Sequence, residues 1–164
     1  MSTRNIRVIG DEVLRKVSKP VKDMTFRTRR LIEDMLETMY EADGVGLAAV
    51  QVGVLKRIVV IDVGEGPIVM INPEILTRDG EQLDMEGCLS VPEKRALVRR
   101  PNYVKVKALD EDMQPFEVEG TELLARAICH ECDHLDGILY VDVKEGELED
   151  VPVMEEEAEN VPAE

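Results

Sequence analysis

The chain has 164 residues, enough for one domain with a sizeable core. Hydrophobic residues make up 44% but aromatics only 3%, with no Trp, so aliphatic and Met side chains must fill the interior. A formal charge of −15 argues against direct nucleic-acid binding, which needs clustered cations to release counterions, and no basic stripe offsets it.

Met1 to Gly10 has a charged start and no apolar run of secretory type, and the longest mostly apolar stretch, 44–54, contains Gln51 and is too short to span a bilayer. With three cysteines and no secretory signal, the expectation is a cytoplasmic protein without membrane contact, its thiols free or metal-bound.

Ile32, Met35, Leu36, Met39 and Tyr40 recur at steps of three and four, which predicts a helix over 26–42 with Gly44 placed to stop it. The β-branched runs 57–63 and 67–72, joined by Gly64-Glu65-Gly66, predict a hairpin. Further strands are expected at 81–85, 96–100, 103–109 and 114–119, the third from its alternation of Tyr103, Lys105 and Lys107 with Val104, Val106 and Ala108. Thr121 is placed to cap a second helix running through Leu123, Leu124, Ala127, Ile128 and two histidines, and Gly137 to end it. A last strand is expected near 138–143. Strands mostly follow one another, so the expected class is α+β, with antiparallel sheets packed around a central C-terminal helix.

From Glu145 to Glu164 there are nine acids and no Lys or Arg, with Pro152 and Pro162. The expected organisation is therefore a domain over 1–144 and an acidic, disordered tail over 145–164.

The chemistry concentrates on the C-terminal helix, where the chain's two histidines occur in His130-Glu131-Cys132-Asp133-His134. A four-residue helical step returns both imidazoles to one face, where two nitrogens can meet one ion. Glu131 lies beside that face, where a carboxylate can take a proton from water on the ion. Catalytic metal sites usually take three protein ligands and an open position, so a third ligand is needed from Cys88, Cys129, Cys132 or a carboxylate. Cys129 and Cys132 are rotated roughly 100° and 200° from His130 and suit a helix core better. Cys88, in Glu86-Gly87-Cys88-Leu89-Ser90, follows an expected strand. The segment Gly44-Val45-Gly46-Leu47-Ala48-Ala49-Val50-Gln51 reads alone as a loop, small enough for a ligand backbone to run beside it, with Gln51 as an amide donor.

Taken in order, these three segments resemble the signature motifs of the peptide deformylases, G-φ-G-φ-A-A-x-Q, E-G-C-φ-S and H-E-x-D-H, with every fixed position matched. The resemblance extends from about Val8 to about Val143. It implies one divalent metal ion on Cys88, His130 and His134, usually Fe²⁺, with Zn²⁺, Ni²⁺ or Co²⁺ as substitutes. It implies Glu131 as general base and then acid, and Gln51 with the Leu89 backbone N–H as oxyanion donors. An apolar pocket near Val45, Glu86 and Leu123 would take a Met side chain, and backbone at Val45 and Gly46 would pair with the peptide. The implied reaction is hydrolysis of the N-formyl group from the initiator methionine of nascent polypeptides in a bacterial cytoplasm, releasing formate. Val50 and Cys132 depart from the usual family residues at positions without chemistry. Some relatives end in a basic ribosome-docking helix; this chain ends in acids, so ribosome contact through that end is not expected. Two rivals use the same histidines: a gluzincin-like metalloprotease with a ligand among Glu155–Glu157, and a structural zinc module closed by Cys88, Cys129 or Cys132.

Overall fold

The computed structural model describes residues 2–151. Along the chain run α1 (Phe26–Glu41), β1 (Gly46–Ala48), β2 (Ile58–Ile61), β3 (Ile68–Asp79), β4 (Gln82–Cys88), β5 (Val91–Arg100), β6 (Tyr103–Leu109), β7 (Pro115–Thr121), α2 (Glu122–Leu135) and β8 (Lys144–Asp150). All strand pairs within the two sheets are antiparallel: one sheet has the order β1-β2-β3-β6-β7, the other β4-β5-β8.

The β2 run Ile-Val-Val-Ile is buried on both sides because the larger sheet lies between the helices. Ile58 and Val60 join Leu31, Ile32, Met35 and Met39 of α1, while Val59 and Ile61 join Ala125, Ile128 and Leu135 of α2. Each fully buried aliphatic side chain contributes roughly 1.5–3 kcal/mol, so the two faces of β2 anchor both helices. A third cluster, with Leu14, Val91, Ala96, Val98, Leu139 and Tyr140, underlies the smaller sheet. Helix α2 contacts strands of both sheets, which is the expected central placement.

Local chemistry sets the helix ends. Thr25 Oγ1 accepts the Thr28 N–H at 3.1 Å at the start of α1. Its end comes at Asp43 rather than Gly44: Asp43 takes the left-handed turn, with φ 57°, and the Gly44 N–H returns to Met39 O at 3.0 Å. Thr121 occupies the expected cap position of α2 but makes no side-chain cap; the Glu122 N–H donates to Asn102 O instead. Gly137 ends α2 as expected, with φ 78°, and a Cβ there would lie 2.5 Å from Arg15 O.

Three expectations are corrected. The segment read as a loop contains β1, whose small residues pair with β2 and are wholly buried. Strand β3 does not stop at residue 72 but bends there: Asn72, with φ 54°, bonds both backbone groups of Val21 while the register shifts, and the strand continues against β6. The last strand is Lys144–Asp150, not 138–143, because Leu139 and Tyr140 are drawn into the third core and 140–142 coil into a 3-10 turn.

That last change moves the boundary placed at residue 144. The first acids of the expected tail form an edge strand on β5, with Glu145 and Glu149 facing Arg99 and Arg95, and Asp150 paired with Lys94. The rest of the expected tail, including Glu155–Glu157, lies outside the described residues. None of the described helices is long and apolar enough to cross a membrane.

Candidate metal centre

Helix α2 presents His130 and His134 on one face, their ring centroids 5.0 Å apart and their planes at 69°. Cys88, the last residue of β4, is brought up to them where the β4–β5 ladder shifts register after Glu86. Its Sγ lies 3.3 Å from His134 Nε2, and donor atoms of Cys88, His130 and His134 all fall within 4.8 Å of one another. Among the described residues this is the one such group of three. Tetrahedral coordination with metal–nitrogen and metal–sulfur bonds of about 2.0 and 2.3 Å spaces ligand atoms roughly 3.5 Å apart, so the three side chains fit an ion.

Two further observations support the fit. His130 Nδ1 donates to Glu86 Oε2 at 2.5 Å, which leaves Nε2 for the cluster, in the carboxylate–histidine arrangement common to metal ligands. His134 is fully buried, and the nitrogen it turns to the Cys88 sulfur is Nε2, so both imidazoles offer Nε2 to the cluster. Burial opposes a charged His130, but the Glu131 charge and the bonds to Cys88 and Glu86 outweigh it and hold this histidine well above the ordinary range. Burial, and then the neighbouring His130 charge, hold His134 well below it.

Glu131 is buried, its Oε1 has no hydrogen-bond partner, and burial pushes its carboxyl up to about 7. A carboxyl that exchanges its proton near neutrality suits general acid–base work. It lies against Gly46, where a Cβ would come within 2.5 Å of Glu131 Oε2, so the second motif glycine leaves room for the carboxylate.

Gln51 is also buried. Its Oε1 accepts the Ala48 N–H at 2.9 Å, while Nε2 donates to Ser90 Oγ at 3.1 Å and to Cys88 Sγ at 3.6 Å. The Ser90 N–H reaches the same sulfur at 3.4 Å. Two donors thus converge on the one sulfur. Ser90 thus orients Gln51 and touches Cys88, a part that sequence reasoning did not assign it although it closes the E-G-C-φ-S motif.

A cleft of about 330 Å³ opens over this group, bounded by Val45, Gly46, Met85, Leu89 and Leu123 together with Gln51, Glu86, Cys88, His130 and Glu131. Every residue named from the sequence for metal, catalytic or substrate contact is therefore at one place. Glu86 has a second part that the sequence does not announce. It sits in a buried ion network, taking hydrogen bonds from Arg100 Nε (3.1 Å) and Nη2 (2.6 Å) and from Arg126 Nη1 (2.7 Å). Burial opposes its ionisation, but the bonds from His130 and Arg100 prevail and hold the carboxyl at about 2. Arg100 continues to Asp133 at 2.8 Å. The signal for Arg126 was its place in the apolar run Leu123-Leu124-Ala125-Arg126-Ala127-Ile128, where an arginine needs a buried acid; Arg100, between Arg99 and Pro101, carried no such signal.

Cys129 and Cys132 stay apart from the group. Cys129 lies in the core shared with the larger sheet, and half-buried Cys132 packs against it. Burial raises both thiols, that of Cys132 to about 12, so neither is set up as a thiolate ligand.

A family model described as polypeptide deformylase matches residues 3–148. A peptide deformylase of Agathobacter rectalis is 67% identical over 151 residues, covering 92% of this chain and 96% of that protein. One from Lachnoclostridium phytofermentans is 61% identical, covering 97% and 99%. Among solved structures, the peptide deformylase of Thermotoga maritima superposes with a TM-score of 0.86 at 46% identity, over 88% of this chain and 99% of that one. That of Synechococcus elongatus, in complex with actinonin, gives a TM-score of 0.85 at 44% identity, over 87% and 79%. With the family match running through all three motif segments and both sheets, the chain belongs to the polypeptide deformylase family.

Proposed function

We propose that this protein is a metallohydrolase that removes the N-formyl group from the N-terminal formylmethionine of newly made proteins, giving formate and a free amine. The observation that carries this reading is the convergence of Cys88, His130 and His134 in a cleft where Glu131 is buried beside them. Cys88, His130 and His134 would hold a divalent ion, which would supply Lewis acidity toward water near neutral pH. One thiolate and two imidazoles suit borderline ions, and Fe²⁺ is the proposed resident, with Zn²⁺, Ni²⁺ or Co²⁺ able to replace it.

The chain's own residues do the rest. Glu131 takes a proton from the attacking water and returns it to the leaving amine. Gln51 Nε2 and the Leu89 backbone N–H donate to the formyl oxygen as negative charge develops there. Ala48 already fixes the Gln51 amide oxygen, and the long Nε2 bond to Cys88 Sγ, at 3.6 Å, is the one that gives way to the formyl oxygen. Val45 and Gly46 offer backbone groups to an extended peptide, and the apolar wall at Val45 and Leu123 receives an unbranched side chain. The substrates are nascent formylmethionyl chains in a bacterial cytoplasm. The stretch from Glu145 to Glu164 carries nine acids and no Lys or Arg, a charge that rRNA would repel.

Product analysis tests the reading. Metal-loaded protein is expected to convert a formyl-Met tripeptide to formate plus the intact tripeptide and to leave the unformylated peptide untouched. Cleavage of an internal peptide bond instead would support the metalloprotease.

A further inference from the structure

Arg126 lies outside all three motifs and has no part in the mechanism above, yet it is almost fully buried within the ion network of the site. Its position on α2 is four residues before His130, so the two side chains leave the same helix face and reach the same carboxylate. The Glu86 oxygens are shared unequally. Oε2 takes His130 Nδ1 at 2.5 Å and Arg100 Nη2 at 2.6 Å, whereas Oε1 takes Arg126 Nη1 at 2.7 Å and Arg100 Nε at a longer 3.1 Å. Arg100 also divides its charge between Glu86 and Asp133. Buried Glu86 and half-buried Asp133 therefore face two buried arginines, and removing Arg126 leaves Glu86 Oε1 with only the longer Arg100 bond.

Arg126 is itself fixed. Its Nε donates to Gln82 Oε1 at 3.2 Å, and the Gln82 amide nitrogen donates to Glu122 O at 2.8 Å at the start of α2. Gln82 and Glu86 both belong to β4, so Arg126 joins α2 to β4 at two points.

We propose that Arg126 is a positioning residue: it pins Glu86 Oε1 so that Oε2 holds the His130 ring with Nε2 turned toward Cys88 and His134. Arg100 fixes the plane of the carboxylate from β5, and Arg126 ties that carboxylate to the helix that carries the histidine. Without Arg126 the carboxylate can tilt on the Arg100 fork, and the His130 ring tilts with it. This inference rests on the reading of Cys88, His130 and His134 as metal ligands.

The test is release of Zn²⁺ from the full-length, Zn²⁺-loaded protein to an excess of a chromogenic chelator, measured without substrate. Arg126→Met is expected to release Zn²⁺ at least about tenfold faster than wild type, the scale seen when a partner of a ligating histidine is lost. Arg126→Lys, which keeps the charge and one donor and is the milder change for folding, is expected to fall between them. In a Glu86→Gln background, Arg126→Met is expected to add less than about twofold, because the two residues act as one unit. A folded Arg126→Met protein with wild-type release would overturn the proposal. So would the same acceleration with and without Glu86→Gln, which would mean that Arg126 acts only on helix packing. A wild-type protein that takes up no Zn²⁺ would defeat the metal-ligand reading, and the proposal with it. Since release is read without substrate, a failure of formyl hydrolysis alone bears on the proposed function and not on Arg126.

Discussion

Glu131 and Gly46 act as a pair, since any side chain at 46 must take space that the carboxylate occupies. Gly46→Ala is expected to keep its metal but to lose roughly a hundredfold in turnover, the scale of an ångström-sized misplacement of a reacting group. Metal analysis beside formate assays checks it, and wild-type turnover would show that Glu131 has room to move. For the third ligand, Cys88→Ser is expected to lose metal. Cys129→Ser is expected to keep metal and lose stability by roughly 1–3 kcal/mol, as a hydroxyl replaces a core thiol; Cys132→Ala should also keep its metal. Metal loss on changing either helix cysteine would favour the structural zinc site. His130, Glu131 and His134 were legible because their chemistry follows from type and spacing, whereas the roles of Cys88, Gln51 and Leu89 came from the resemblance to the peptide deformylases. Ser90, Arg100 and Arg126 were not legible, because each acts through a partner on another segment: Gln51 for Ser90, Glu86 for the two arginines.

Elements were legible where one face is apolar and obscure where pairing is electrostatic. Helix α1 and strand β6 declare themselves by periodicity, and both lie where the pattern puts them. Strand β8 reads as a solvated acidic run because its cations, Lys94, Arg95 and Arg99, lie far back on β5. Strand β1 is hidden for the opposite reason, being too short and small for any alternation to show. A chain truncated after Val151 keeps every described element and is expected to melt as the full chain does. Truncation after Lys144 removes nearly all of β8 and uncovers an edge of β5. Exposed ion pairs are worth little singly, but with the lost ladder bonds the cost is expected to be about 2 kcal/mol, or roughly 5 °C in melting temperature. Identical melting curves for the two truncations would restore the boundary at 144.

At the scale of the molecule, the class and the central helix followed from the order of strands and helices, but the division into two sheets did not. Strand β3 pairs with β6 and passes over its chain neighbours β4 and β5, which form the second sheet with β8. That division carries Cys88 on one sheet to a helix packed on the other, and no local pattern announces it. It also places the site between layers, where α2 brings two ligands and the base, the smaller sheet the thiolate, and β1 with the turn behind it Gly46 and Gln51. The central claim is that this assembly hydrolyses a formyl amide with Glu131 as the proton carrier. The direct measurement is formate release from a formyl-Met peptide by protein prepared anaerobically with Fe²⁺, wild type beside Glu131→Gln, with metal content determined on the same samples. The expected result is catalytic formate release by wild type and a loss of at least about a hundredfold in the variant at equal metal content. Equal formate release by the two proteins, or none by fully loaded wild type, would contradict it.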